Sequence, residues 1–126
     1  MTDREMLEWA AKAAGIDLDW DVPPKSPPWI ITGRGEDRGP SSQWNPLADD
    51  GDALRLAVRL QLTVCNEHLN AGVAYCTRSL PGAGLDEDRY PEVRSGTNEN
   101  EVIDADYAST RRAIVLAAAE IGKRGS

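Results

Sequence analysis

The chain has 126 residues, 40% hydrophobic and 28% charged, and its 14 Lys and Arg against 21 Asp and Glu leave a formal net charge of −7. That length suits a single domain spanning 1–126, no apolar run approaches the ~20 residues that cross a bilayer, and the acidic balance opposes membrane binding and nonspecific nucleic-acid binding. Cys65, Cys76 and the single histidine, His68, make neither a disulfide scaffold nor a zinc ligand set, so no metal and no cofactor are expected.

The opening Met1-Thr2-Asp3-Arg4-Glu5 lacks the basic and then apolar signature of a signal peptide, which predicts a cytoplasmic location. Met6, Leu7, Ala10, Ala11 and Ala14 recur at helical steps, Thr2 and Glu5 fit a capping box, and Gly15 is placed to end the helix. Ile16, Leu18 and Trp20 alternate with Asp17, Asp19 and Asp21 as a strand with one wet face. Pro23, Pro24, Pro27 and Pro28 form a stiff connector to a second strand at Trp29-Ile30-Ile31-Thr32. The glycines and charges from Gly33 to Pro40 predict an exposed, mobile loop. Asp49 or Asp50 then caps a second helix carrying Ala53, Leu54, Ala57, Val58 and Leu60 on its apolar side. Leu60, Leu62 and Val64 predict a third strand, and Val73 with Tyr75 a fourth, turned through Leu69-Asn70-Ala71-Gly72. Residues 79–101 are acidic and turn-forming without a period. A last helix starts near Asp104 or Asp106, shows Tyr107, Ile114, Ala117, Ala118 and Ile121 on one side, and meets Gly122 as terminator.

Short connections between paired strands favour antiparallel pairing, so the fold class is α+β: one central, mostly antiparallel sheet of about four strands with three helices on its faces. The runs Trp44-Asn45-Pro46-Leu47-Ala48-Asp49-Asp50-Gly51-Asp52-Ala53-Leu54-Arg55-Leu56-Ala57-Val58 and Ser109-Thr110-Arg111-Arg112-Ala113-Ile114-Val115, with Thr2-Asp3-Arg4-Glu5-Met6-Leu7 and Ala10-Ala11-Lys12-Ala13-Ala14-Gly15, resemble small phage and prophage proteins carrying the phage ABA sandwich domain. The resemblance covers the three helices, about half the chain, and implies an α-β-α sandwich and a viral genome. It implies no catalytic residue.

Chemistry for a small anionic ligand gathers around Gly33–Gly39. Arg34 and Arg38 offer bidentate donors there, flanked by the aromatic faces of Trp29 and Trp44, and Arg111 or Arg112 could reach in from the last helix. Arg111 and Arg112 are adjacent and point roughly 100° apart, so at most one faces a shared site. The loop lacks the Gly-Lys-Ser/Thr ending of a P-loop. As a structural alternative, Trp29 and Trp44 fill core space while Arg34 and Arg38 pair with Glu36 and Asp37. Asp49-Asp50-Gly51-Asp52 lacks the ligand spacing of a calcium loop and reads as a helix cap. With the hairpin centred between Asn70 and Ala71, Cys65 and Cys76 stand opposite each other, yet nothing marks a nucleophile with an orienting partner.

An enzyme is the least favoured class. The leading expectation is a phage-encoded binding protein, homo-oligomeric, that counters host defence by sequestering a nucleotide-derived immune signal. Two alternatives stand beside it. In one, Asp17, Asp19, Asp21, Asp86, Glu87 and Asp88 form an acidic DNA mimic that blocks a host nuclease or CRISPR complex. In the other, the protein belongs to the virion or its assembly.

Overall fold

The structure, a computed structural model, describes residues 1–79, 88–95 and 102–125. Helix α1 spans Asp3–Ala14, where the Thr2 hydroxyl accepts the Glu5 amide proton at 3.1 Å. Gly15 ends it in the left-handed region at φ 70, and the expected stripe of Met6, Leu7, Ala10, Ala11 and Ala14 is buried. Strands β1 (Asp17–Asp19), β2 (Trp29–Thr32) and β3 (Gly39–Gln43) follow, then helix α2 (Asp50–Arg59), capped by the Asp49 carboxylate on the Asp52 amide. Strand β4 (Thr63–Glu67), the single helical turn α3 (His68–Ala71) and β5 (Val73–Arg78) form the next hairpin. Two short strands, β6 (Asp88–Arg89) and β7 (Val93–Arg94), precede the long helix α4 (Asp104–Arg124).

The class is α+β, with antiparallel strands throughout. The single four-stranded sheet expected from the sequence is instead two sheets, β1-β2-β3 and one built around β5, which pairs with β4 on one edge and with β6 and β7 on the other. The reason lies in the connections: α2 intervenes between β3 and β4, and the first hairpin takes its third strand from its own loop. Residues Gly39–Gln43, expected to lie within or after a mobile loop, turn back to pair with β2, leaving only Gly35–Asp37 as a 3-10 turn at the tip. Pro40 sits in this edge strand beside a bulge, where Ile30 pairs with Ser42 and Ile31 with Pro40, so its missing N–H costs no ladder bond.

Helix α4 lies on the four-stranded sheet, chiefly against β5, and α1 and α2 pack on α4. Leu7, Trp44, Leu56, Leu60, Tyr90 and Val115 thereby join one core. Three further expectations fail for packing reasons. Leu60 is the cap of α2 and not a strand residue, because Gln61 turns the chain into the left-handed region at φ 57. Leu54 and Val58 lie outside the core at 63% and 67% exposure: apolar residues cover most of the circumference of α2, and one packed face buries only Ala53, Leu56 and Ala57. Gly122 does not terminate α4. It is buried within the helix where a Cβ would overlap the Trp9 carbonyl oxygen, so its bare backbone is what lets α4 approach α1.

Candidate functional site

The predicted clamp does not converge. Trp29 and Trp44 stand at the root of the β2–β3 hairpin, where the Trp44 amide donates to the Pro28 carbonyl. Arg34 and Arg38 occupy its tip, roughly 10 Å of strand away. Trp44 is in the core at 3% exposure, and Trp29 donates its indole N–H to Pro24 O at 3.1 Å. Arg38 pairs with Asp17 at 2.7 Å, not with Glu36 or Asp37, while Arg34 is exposed. The acidic strand face is partly used up by the same contacts: Asp17 holds Arg38, and Asp19 accepts the Asp21 amide proton at 2.8 Å. Asp88 is exposed on β6, and Asp86 and Glu87 lie outside the described residues.

The adjacent arginines diverge as their helical spacing requires. Arg112 reaches α1 and pairs with Asp3 at 3.0 Å. Arg111 turns the other way, donating Nε to Leu47 O at 2.9 Å and Nη1 to Asp50 at 2.7 Å. There it borders a cleft of about 480 Å³ between α2, β4 and α4, within the ~300–1,000 Å³ range of small-ligand sites. Ala53, Ala57, Val64 and Ile114 give it apolar walls, and Leu54, Val102 and Tyr107 stand exposed at its mouth.

Polar groups converge on the floor of this cleft. Asp106, 1% exposed, accepts the Ile103 amide proton on Oδ2 at 3.0 Å and so caps α4 with its own side chain. Its Oδ1 lies 3.3 Å from His68 Nδ1, near enough for electrostatic pairing but off the line of a good hydrogen bond. The other ring nitrogen, Nε2, is 2.9 Å from the Thr110 hydroxyl, which also has Asn66 Oδ1 at 2.9 Å and Asp106 O at 2.8 Å. Hydroxyl, imidazole and carboxylate thus stand in the order that a nucleophile relay uses. Two features set them apart from a working relay. The one Thr110 proton has three acceptors in reach, and the amides of Thr110 and Arg111 lie inside α4, where helix geometry commits them to the carbonyls of Asp106 and Tyr107. The line anchors α3 and β4 to α4 and offers a bound molecule a hydrogen-bonding floor.

Sequence reasoning found Arg111 and missed Asp106, Thr110 and Asn66. The available signal was faint: Asp106 and Thr110 are four apart on a helix whose neighbouring face is alanine-rich. Register separates the cysteines. Cys65 pairs with Tyr75 and Val64 with Cys76, so the hairpin is centred on Asn70, one half-step from the expected centre, and the two thiols point to opposite faces and stay free. A second groove of about 770 Å³ on the far flank of α2 is bordered by Ile31, Trp44, Arg55 and Arg59 and has no such buried polar floor. No family model, curated protein or solved structure matches the chain.

Proposed function

We propose that the protein works by binding, holding a small ligand in the cleft between α2 and α4 without transforming it. The observation that carries this reading is the cleft itself, a prebuilt apolar space whose floor is a polar line running from the buried Asp106 and His68, 3.3 Å apart, through the half-buried Thr110 to the exposed Asn66. Its chemistry selects a molecule with a flat apolar part and one anionic group. Tyr107 offers an aromatic face at the mouth, and Asn66 offers an amide to a base edge. Arg111 has five N–H donors and spends two on Leu47 and Asp50, so an anion would compete with the exposed Asp50 carboxylate for the same fork. A nucleotide-derived signal fits that description, and with the phage resemblance it gives a role in capturing an immune signal in the infected host's cytoplasm.

The test is thermal melting against a panel of mono-, cyclic and dinucleotides. A true ligand at about 100 times its Kd adds roughly 2.7 kcal/mol and raises Tm by several degrees. Tyr107→Ala and Asn66→Ala should lower the affinity at least roughly tenfold, while Arg34→Ala should not change it. No shift with any nucleotide, or a shift insensitive to both cleft variants, overturns the reading.

A further inference from the structure

The polar line on the cleft floor has a direction, and the number of protons on His68 sets it. The Thr110 hydroxyl has one proton to give, with Asp106 O at 2.8 Å and both His68 Nε2 and Asn66 Oδ1 at 2.9 Å. Asp106 O needs that proton least, because it already accepts the Ser109 hydroxyl proton at 3.0 Å and, by helix geometry, the Thr110 amide proton. The hydroxyl proton therefore goes to His68 or to Asn66, and the imidazole decides between them.

The charged neighbours of the ring fix the two states. Asp106 Oδ1, from α4, faces Nδ1 at 3.3 Å, so a neutral ring keeps its one proton on Nδ1, where a bare lone pair would oppose a carboxylate. Among the described residues the other titratable groups stand off. Asp50 and Arg111 pair with each other at the edge of the cleft, Tyr107 lies at its mouth, and Glu67 turns to the opposite sheet face, where it accepts the Tyr75 hydroxyl proton at 3.2 Å. A neutral His68 accepts the Thr110 proton on Nε2, and Thr110 in turn accepts a proton from the Asn66 amide nitrogen. An imidazolium donates from both nitrogens instead, and the Thr110 proton passes to Asn66 Oδ1. Asn66 lines the cleft, and the end of its amide that Thr110 does not hold has no hydrogen-bond partner among the described residues.

We propose that Asn66 is the specificity-determining residue of the cleft and that the His68 proton, relayed through Thr110, turns its amide. With His68 charged, the cleft presents N–H donors and suits an oxo edge such as guanine O6 and N7. With His68 neutral, it presents the amide oxygen and suits an amino group such as adenine N6. This selectivity rests on the cleft being the nucleotide site, whereas the relay is a property of the chain alone.

Two measurements test it. His68 is the only histidine, so its imidazole nitrogen resonances can be followed without overlap, together with those of the Asn66 side-chain amide, from about pH 5 to 9. The Asn66 resonances should change over the same pH interval as the ring, keep that coupling in Thr110→Ser and lose it in Thr110→Val. In the second measurement, cyclic guanosine and adenosine monophosphates, whose diester charge is constant, are titrated at about pH 5.5 and 8. The ratio of their affinities should move toward guanosine in acid by at least roughly threefold, and should not move in Thr110→Val. Taking the ratio cancels the general pull of a charged imidazole on phosphate. A ring that keeps one charge state throughout, an Asn66 amide indifferent to it, or coupling that survives Thr110→Val overturns the relay. A coupled amide with a constant affinity ratio overturns Asn66 as the selector. A coupled amide with neither nucleotide bound at either pH supports the relay and overturns the ligand reading instead.

Discussion

Burial pushes the Cys76 thiol up to about 12, helped by the nearby Cys65, and this makes a single side chain a source of alkaline instability. The unfolded chain releases this proton near 9 and the folded one near 12, so between those values the unfolded state binds fewer protons and stability falls as pH rises. The slope approaches about 1.4 kcal/mol per pH unit, with Tyr90, also raised by burial, adding the same sign above about 10. Urea unfolding at pH 8 and pH 10 should show the loss in the wild type and a clearly shallower loss in Cys76→Ala. Asp106 is the other residue on which much depends. Asp106→Ala removes the cap on the Ile103 amide and the carboxylate beside His68, at a cost of about 2–4 kcal/mol by denaturant unfolding. Asp106→Asn keeps an acceptor for the cap and should cost less. These effects arise from burial and pairing, and neither was visible in a sequence where Asp106 reads simply as a helix-start acid.

At the scale of elements, the contact between α1 and α4 rests on Gly122. Gly122→Ala must push the Trp9 carbonyl aside or tilt α1, and should cost about 1–3 kcal/mol in urea unfolding. Gly125→Ala, whose Cβ would meet only ordinary contacts at 3.6 and 3.8 Å, should change stability by less than about 0.5 kcal/mol. The helices were legible element by element, since caps and apolar spacing are local: Thr2 and Gly15 bracket α1, and Asp49 begins α2 where its carboxylate meets free amides. Their ends were less so. Gly122 has the residue type of a terminator, and only the neighbouring helix shows that it is a place of close approach. The β4–β5 hairpin shows the same limit, because one half-step of register moves Cys76 to the face opposite Cys65, and turn composition alone does not set that step.

At the scale of the whole molecule, the grouping of strands and the location of the site came from packing. Short-range periodicity placed strands at Trp29–Thr32 and around Val73 and Tyr75, but not the return of Gly39–Gln43 onto β2 that closes a separate sheet. The candidate ligand residues chosen by composition, Trp29, Arg34, Arg38 and Trp44, were spread along one hairpin. Arg111 alone among the predicted residues reached the cleft, and it met there His68, whose bond to Thr110 links residues 42 apart in the chain. By itself the sequence determined the helices, the acidic charge and the α+β class, since these follow from neighbours within a few positions. Which residues share a cleft, which apolar face of α2 stays outside, and that the two thiols end on opposite faces of their hairpin were decided by tertiary structure, because each depends on how distant segments exclude water together.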